Sequence, residues 1–234
     1  MKNVLITGVS GGLGFALAQE YIERGYFVFG CDLFKSDKSS DLSSGDKVQF
    51  QFVELNAGDD ESVRRAFEKI AEQTNTIDVI INAAGILPPN SENKLEDFDI
   101  SASLDVFNIN TLGPLRITKA FLELLKNGED KMLVNISSEA GSMTTHSNYI
   151  NRYDYCMSKA GVNMQSIILQ RYLKGDGIKV LAVHPGWMKT QMGGEEAPLS
   201  PETSAKGIAD LSEKHKHQLD SGIYFDYDGS SRAW

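Results

Sequence analysis

The chain reads as an α/β protein, a single doubly wound Rossmann-type domain over residues 1–234 whose parallel sheet carries helices on both faces. Three observations predict it. Short apolar runs alternate with longer segments of helical periodicity from one end to the other. A glycine-rich turn, Thr7-Gly8-Val9-Ser10-Gly11-Gly12-Leu13-Gly14, joins the first run to the first helical segment. A length of 234 residues with a hydrophobic share of 41% supplies one sizeable core, and no internal repeat or linker divides it.

In chain order, strands are expected at 4–6 (Val-Leu-Ile), 27–31 (Phe-Val-Phe-Gly-Cys), 48–53 (Val-Gln-Phe-Gln-Phe-Val), 77–81 (Ile-Asp-Val-Ile-Ile), 132–136 (Met-Leu-Val-Asn-Ile) and 180–183 (Val-Leu-Ala-Val). Between them, 13–21, 62–70, 115–125 and 160–173 place apolar residues at helical spacing. Residues 35–47, rich in Ser, Asp and Lys, read as a solvated connection, and 87–99, with Pro88-Pro89, read as an irregular loop before a helix. Open sheets of this kind bind ligands beyond the carboxyl ends of their strands, so the loops gathered there hold the chemistry.

Charge and cysteine usage narrow the setting. A formal charge of -9 argues against nucleic acid and against an anionic membrane surface, both of which need a basic stripe. The cysteines Cys31 and Cys156 are too few for a disulfide framework and fit a reducing cytoplasm; Cys156 reads as a buried inert thiol. Thr7-Gly8 follow the first apolar run directly, which leaves no room for a signal-peptide apolar region. No stretch approaches the ~20 apolar residues of a membrane span. A soluble, cytoplasmic protein is expected.

The glycine spacing is TGxxxGxG rather than GxGxxG, because Leu17 stands where the last glycine of the latter would fall. Such a turn lets backbone N–H groups and a helix N-terminus approach a pyrophosphate. Asp32 ends the second strand, 18 residues after Gly14, where a carboxylate can accept hydrogen bonds from both adenosine ribose hydroxyls. A 2′-phosphate would meet that carboxylate, and neither Gly11 nor Leu33 offers a cation, so NAD is favoured over NADP, with Lys35 the residue that speaks against it. Tyr155 and Lys159 lie at i and i+4 in Tyr155-Cys156-Met157-Ser158-Lys159, on one helical face. The neighbouring ammonium is expected to lower the phenol pKa and make Tyr155 a general acid/base.

With TGxxxGxG, Asp32, Asn82-Ala83-Ala84-Gly85, Asn110, Ile136-Ser137-Ser138, YxxxK and His184-Pro185-Gly186-Trp187-Met188-Lys189-Thr190 in order, the chain resembles the short-chain dehydrogenase/reductase family over its whole length. Gly193-Gly194, the run Phe225-Asp226-Tyr227-Asp228-Gly229 and Trp234 resemble more particularly the C-factor-like and carbonyl-reductase branch. The resemblance implies a catalytic tetrad of Asn110, Ser138, Tyr155 and Lys159. Tyr155 would exchange a proton with the substrate oxygen, Ser138 would polarise that oxygen, Lys159 would bind the nicotinamide ribose, and Asn110 would hold a water linking Lys159 to solvent. It also implies cofactor contacts from Gly8, Ser10, Gly11, Gly12, Leu13, Gly14, Asp32, Asn82, Ala83, Ala84, Gly85, Tyr155, Lys159, Pro185, Gly186, Met188 and Thr190. Glu54 or Asn56 stands where the acidic adenine contact falls; spacing does not choose, and Asn56 is the one kept among the contacts.

Ser138 is taken over Ser137 because successive residues leaving a strand point to opposite sides and family members use the second serine. Tyr153, off the shared helical face, and Trp187 join Ser138 as substrate-pocket residues. Residues 187–203 form a candidate lid, and Ala160, Met164, Ile167 and Ile168 an apolar face through which the resemblance implies a homodimer or homotetramer. Two departures stand out: Ala83 replaces the usual second asparagine of NNAG, and the stretch between Ser138 and Tyr155 is longer than usual. Arg152 reads either as a contact for an acidic substrate group or as a solvated surface arginine. His215 and His217 read as a solvated face and His184 as a satisfied structural histidine, so no metal is expected. The reading is an NAD(H)-dependent oxidoreductase acting on a small-molecule secondary alcohol or carbonyl. Its rivals are a non-catalytic dinucleotide sensor or signalling protein, and an NAD-using epimerase or dehydratase.

Overall fold

A computed structural model describes residues 1–37, 39, 42, 49–144 and 149–234. Its elements run β1 (Asn3–Thr7), α1 (Gly12–Glu23), β2 (Phe27–Asp32), β3 (Phe50–Glu54), α2 (Asp60–Ala71), β4 (Val79–Asn82), α3 (Ser103–Phe107), α4 (Gly113–Lys126), β5 (Met132–Ile136), α5 (Tyr153–Leu173), β6 (Lys179–His184), α6 (Pro201–His215) and β7 (Tyr224–Asp226). The seven strands form one sheet in the order β3-β2-β1-β4-β5-β6-β7, every neighbouring pair parallel. The order reverses between β1 and β4, which opens a crevice above their carboxyl ends.

Alternation along the strands explains the two covered faces. Val4, Ile6, Val79, Ile81, Val134, Leu181 and Val183 point to one side, where α1 packs Leu13, Leu17 and Tyr21 against Ala205, Ile208 and Leu211 of α6. Leu5, Ile80, Leu133 and Val180 point to the other, against Val63 and Ile70 of α2, Ile117 and Phe121 of α4, and Leu169 and Leu173 of α5. Burying each such side chain is worth about 1.5–3 kcal/mol, so a one-residue register slip, which exchanges the faces, is strongly disfavoured.

The six expected strands are all present, 132–136 with the same bounds and the others shifted by a residue or two at one or both ends; Val48 and most of the 35–47 connection lie outside the described residues. Besides the short α3, two elements were not foreseen. One is β7, three residues paired with β6 through Ala182, Val183 and His184. The other is α6, which starts inside the expected lid: Ser200 Oγ accepts the Thr203 N–H at 3.1 Å and Pro201 takes the first helical position.

Candidate active site

In the crevice beyond the carboxyl end of β1 the chain builds a cradle for an anion. β1 ends at Thr7, whose hydroxyl oxygen accepts the N–H groups of Ala83 and Ala84, each at 3.0 Å, tying the 82–85 turn to the glycine loop. Gly8 is left-handed (φ +79), and a Cβ on it would stand 3.1 Å from Ala84. α1 begins so close to the strand exit that a Cβ on Gly14 would lie 2.1 Å from the Gly8 carbonyl oxygen. No side chain caps α1 and its first turn holds no acidic residue, so the amides of Gly12, Leu13 and Gly14 and the positive helix end face an open groove. These features fit the pyrophosphate of a dinucleotide.

Asp32, at the end of β2, accepts the Ser10 N–H at 2.9 Å through one carboxylate oxygen and the Leu33 N–H at 2.7 Å through the other. Each oxygen keeps acceptor capacity for a hydroxyl. Glu54 is paired in register with Asp32 and is exposed, whereas Asn56 is half-buried and its Oδ1 accepts the Gly58 N–H at 2.9 Å. Asn82 belongs to the strands: its Nδ2 donates to Asn135 Oδ1 at 2.8 Å, and Asn135 in turn donates to Ser166 Oγ at 2.9 Å.

The four expected tetrad residues meet on one floor. Between α3 and α4 the helix widens into a π-type turn, Asn108–Leu112, which swings Asn110 inward. Its Oδ1 accepts the Ile86 N–H at 2.8 Å, and its Nδ2 donates to Ile86 O at 2.9 Å and to Ser158 Oγ at 3.2 Å. A Cβ on Gly85 would lie 3.3 Å from Asn110 Oδ1 and 3.7 Å from Lys159 Nζ, so Gly85 leaves the space in which these groups face each other. Lys159, only 6% exposed, donates from Nζ to Ile136 O at 2.9 Å. Ser137 and Ser138 do point apart: Ser137 Oγ donates to Asn163 Oδ1 at 2.5 Å, while the Ser138 hydroxyl lies on the side of the Tyr155 phenol and influences its ionisation.

One electrostatic expectation is corrected. Tyr155 is not held down by Lys159: burial pushes its phenol up to about 12, with the neighbouring Ser138 hydroxyl acting the other way. The reason is geometric, since Lys159 Nζ lies 5.7 Å from the ring centroid and spends its hydrogen bond on Ile136 O. Burial also drives Lys159 down to about 8, which weakens the cation that was to do the work.

The rim is more structured than expected. Arg152 takes a left-handed conformation (φ 63) at the start of α5, pairs with the Glu92 carboxylate, donates its N–H to Ser91 O at 2.7 Å and covers the Tyr149 ring. It is therefore committed rather than a loose surface arginine. Tyr153 packs edge-on against Phe98, centroids 5.3 Å apart, and its hydroxyl donates to Ile150 O at 3.2 Å. Trp187 is half-exposed, its indole N–H donating to Gly193 O at 2.7 Å. Ser204 Oγ ties Pro185 O at 2.7 Å, Met188 bridges to Leu199, and Thr190 Oγ1 accepts the Gly193 N–H at 3.0 Å. The 187–203 segment is thus a laced turn running into α6. Gly186, left-handed at φ 80, places it beside Tyr227.

Among the histidines, His184 accepts the Glu139 N–H at 3.1 Å and is satisfied. His215 corrects the expectation of a solvated face: it is buried, with Nδ1 2.9 Å from Ser221 Oγ and its ring against Phe225, while His217 is exposed. Helix α6, unseen in the sequence, carries it inward. Among the described residues no His, Cys, Asp or Glu cluster could hold a metal, and no helix is long and apolar enough to cross a membrane. Cys31 is buried, whereas Cys156, expected to be buried, is only partly so; burial raises the thiol pKa of both.

An anion cradle at a strand-order reversal, facing a Ser-Tyr-Lys floor, defines a dinucleotide-dependent oxidoreductase fold. Comparison with known proteins makes that specific. The short chain dehydrogenase family pattern matches residues 2–199, and the chain belongs to the short-chain dehydrogenase/reductase family, near its carbonyl-reductase branch. It is 35% identical over 165 residues to the C-signal protein of Myxococcus xanthus, covering 69% of this chain and 95% of that one. The NADPH-bound carbonyl reductase of chicken fatty liver superposes with a TM-score of 0.89 at 26% identity, over 100% of this chain and 99% of the other. Carbonyl reductase Sniffer of D. melanogaster gives 0.88 at 27% identity over 100% of both chains. The family transfers hydride with a nicotinamide dinucleotide, and this chain is an oxidoreductase of that kind.

Proposed function

We propose that the chain is an NAD(H)-dependent reductase/dehydrogenase of a secondary alcohol/carbonyl pair, working as a single domain with Asn110, Ser138, Tyr155 and Lys159 as its reacting and supporting groups. The observation that carries this reading is the convergence of the Ser138 hydroxyl, the Tyr155 phenol and Lys159 Nζ on one floor beside the uncapped start of α1. When bound, the nicotinamide supplies or accepts the hydride. Ser138 donates to the substrate oxygen and lowers the cost of charge developing there. Tyr155, protonated because burial raises its pKa, delivers a proton to that oxygen in reduction and takes one in oxidation. Lys159 offers its ammonium to ribose hydroxyls and, once so placed, to the phenolate. Asn110, fixed to Ile86 on both edges of its amide, keeps its backbone carbonyl in the π-type turn for a water that reprotonates Lys159.

The amides of Gly12, Leu13 and Gly14 suit the pyrophosphate, Asp32 the adenosine ribose and Asn56 the adenine edge. Pro185, Gly186, Met188 and Thr190 would enclose the nicotinamide, Gly85 would be a further cofactor contact, and Tyr153 and Trp187 would border the substrate. NAD is preferred on the strength of Asp32, even though the chicken carbonyl reductase binds NADPH. Titrating NADH and NADPH in parallel by fluorescence tests this. NADH binds more tightly, and Asp32→Ala narrows the preference by about tenfold to a hundredfold, the worth of hydrogen bonds to a charged group. An unchanged ratio would place the ribose contact elsewhere. Binding without turnover of any carbonyl would favour the sensor reading.

The inert, unpaired cysteines support a cytoplasmic setting. A homodimer through the outer face of α5 is part of the proposal. Met157, Met164, Ile168 and Tyr172 are exposed there in one stripe. Ile168→Glu should shift the protein from dimer to monomer in sedimentation velocity. A wild-type chain that sediments as a monomer would refute the assembly.

A further inference from the structure

The segment that follows Ser138 is clamped from two sides. From α5, Asn163 accepts the Ser137 hydroxyl through Oδ1 at 2.5 Å and donates from Nδ2 to Gly141 O at 3.0 Å. From the opposite side, β7 brings Tyr224, a buried tyrosine whose hydroxyl donates to Ser138 O at 2.7 Å. The chain then doubles back along β7. Ser231 bridges antiparallel to Phe225, and the Arg232 N–H donates to Tyr224 O at 3.0 Å. Trp234 lays its indole flat on the Tyr224 ring, centroids 4.9 Å apart at 18°. Its carbonyl oxygen accepts both the Thr144 N–H at 2.9 Å and the Thr144 hydroxyl, while Ala233 O accepts the Ser142 hydroxyl at 2.8 Å.

These contacts reach about 90 residues back along the chain, to the one loop whose geometry decides where the Ser138 hydroxyl points. Ser138 is extended (φ -163, ψ 154), and its side chain already accepts the Ala140 N–H at 3.2 Å. Turning the Ser138–Glu139 peptide would therefore swing both the carbonyl held by Tyr224 and the turn that orients Oγ. Burial raises the Tyr224 phenol, so it remains a donor throughout the working pH range. Met143, between the two residues that the 233–234 carbonyls hold, stands exposed on the same rim.

We propose that Tyr224 and Trp234 are positioning residues, a strap that holds the Ser138–Thr144 loop, and with it the Ser138 hydroxyl, in reactive geometry. This rests on Ser138 being the group that polarises the substrate oxygen. A single hydrogen bond is worth about 1 kcal/mol net, but displacing a reacting group by ~1 Å costs about a hundredfold in rate, so the catalytic effect outruns the stability effect.

The test uses the full chain with Trp234→Ala, Trp234→Phe and Tyr224→Phe, the last of which keeps the stacked ring and removes only the hydroxyl. Backbone hydrogen exchange across 139–144 is read together with NADH affinity and with kcat and KM for a carbonyl substrate of the unaltered enzyme. In Trp234→Ala, exchange in 139–144 quickens about tenfold or more while the glycine loop and α5 keep their protection. kcat falls about tenfold to a hundredfold with NADH affinity unchanged, and Trp234→Phe restores most of it. Tyr224→Phe lowers kcat in the same direction while losing only the modest net worth of one hydrogen bond, so it stays folded and keeps the test decisive even where Trp234→Ala folds poorly. Unchanged exchange in Trp234→Ala would overturn the strap, as would faster exchange with full kcat in both Trp234→Ala and Tyr224→Phe. If the unaltered chain binds NADH yet reduces no carbonyl, the enzyme reading falls, and the exchange measurement still decides whether the strap exists.

Discussion

Tyr155→Phe is expected to lower carbonyl turnover about a thousandfold while leaving NADH affinity within about twofold. The substitution keeps the ring and removes the one hydroxyl on the floor that both faces Ser138 and is held protonated, its pKa pushed up to about 12 by burial. Without that proton, hydride delivery would leave an alkoxide stabilised by Ser138 alone, and general acid catalysis typically contributes two to four orders of magnitude. The raised pKa adds a direction to the expectation. Reduction needs the phenol and has it at neutral pH, whereas alcohol oxidation needs the phenolate, so the oxidative rate should climb with pH and the reductive rate should not. Stopped-flow turnover in both directions across pH 6–10 checks this, alongside fluorescence titration of the mutant. Retention of near wild-type turnover by Tyr155→Phe would remove the phenol from the reaction.

Much of this architecture was legible in the order of residues because the sheet is buried on both sides. Val4, Leu5 and Ile6 alternate between two apolar cores, and that same burial makes each strand a short unbroken apolar run. Helix α6 was overlooked because its signal is a cap, Ser200-Pro201-Glu202, rather than a strong apolar stripe, and it lies inside a stretch whose glycines and prolines read as loop. β7 is three residues long and gains its meaning only from pairing with β6. At the site, residue types at set intervals marked the floor, but the partners that orient them were invisible. Ile86 answers Asn110 from 24 positions away, Ser91 accepts the Arg152 N–H, and Trp234 reaches Thr144. The pKa expectation failed for a related reason. A spacing of i and i+4 puts Tyr155 and Lys159 on one face but does not say which acceptor the lysine chooses, and it chose Ile136 O.

Lys159→Met should make the protein a poorer enzyme and a more stable one. Burial lowers the folded-state pKa of Lys159 from 10.5 to about 8, which corresponds to a cost on the order of 3 kcal/mol for keeping the ammonium charged in the fold at neutral pH. Against this stands one hydrogen bond, Nζ to Ile136 O at 2.9 Å, worth about 1–2 kcal/mol. The charge term wins, so an isosteric apolar side chain should raise stability at pH 7 by on the order of 1 kcal/mol. The sign with pH follows from the same shift. Because the folded pKa is depressed, the unfolded chain binds more protons between about 8 and 10.5, and wild-type stability rises with pH over that window and is lost as pH falls through about 8. Lys159→Met should lack that rise, so its advantage at pH 7 shrinks as pH climbs and the two stability curves cross between about 8 and 10.5. Turnover should fall about a hundredfold or more, and NADH should bind more weakly, if the ammonium holds the ribose hydroxyls and the phenolate as proposed. Thermal melts from pH 6.5 to 10.5 beside steady-state kinetics separate the outcomes. A mutant that melts lower than wild type at pH 7 would show that the Ile136 hydrogen bond outweighs the buried charge. One that keeps its turnover would show that Tyr155 works without it.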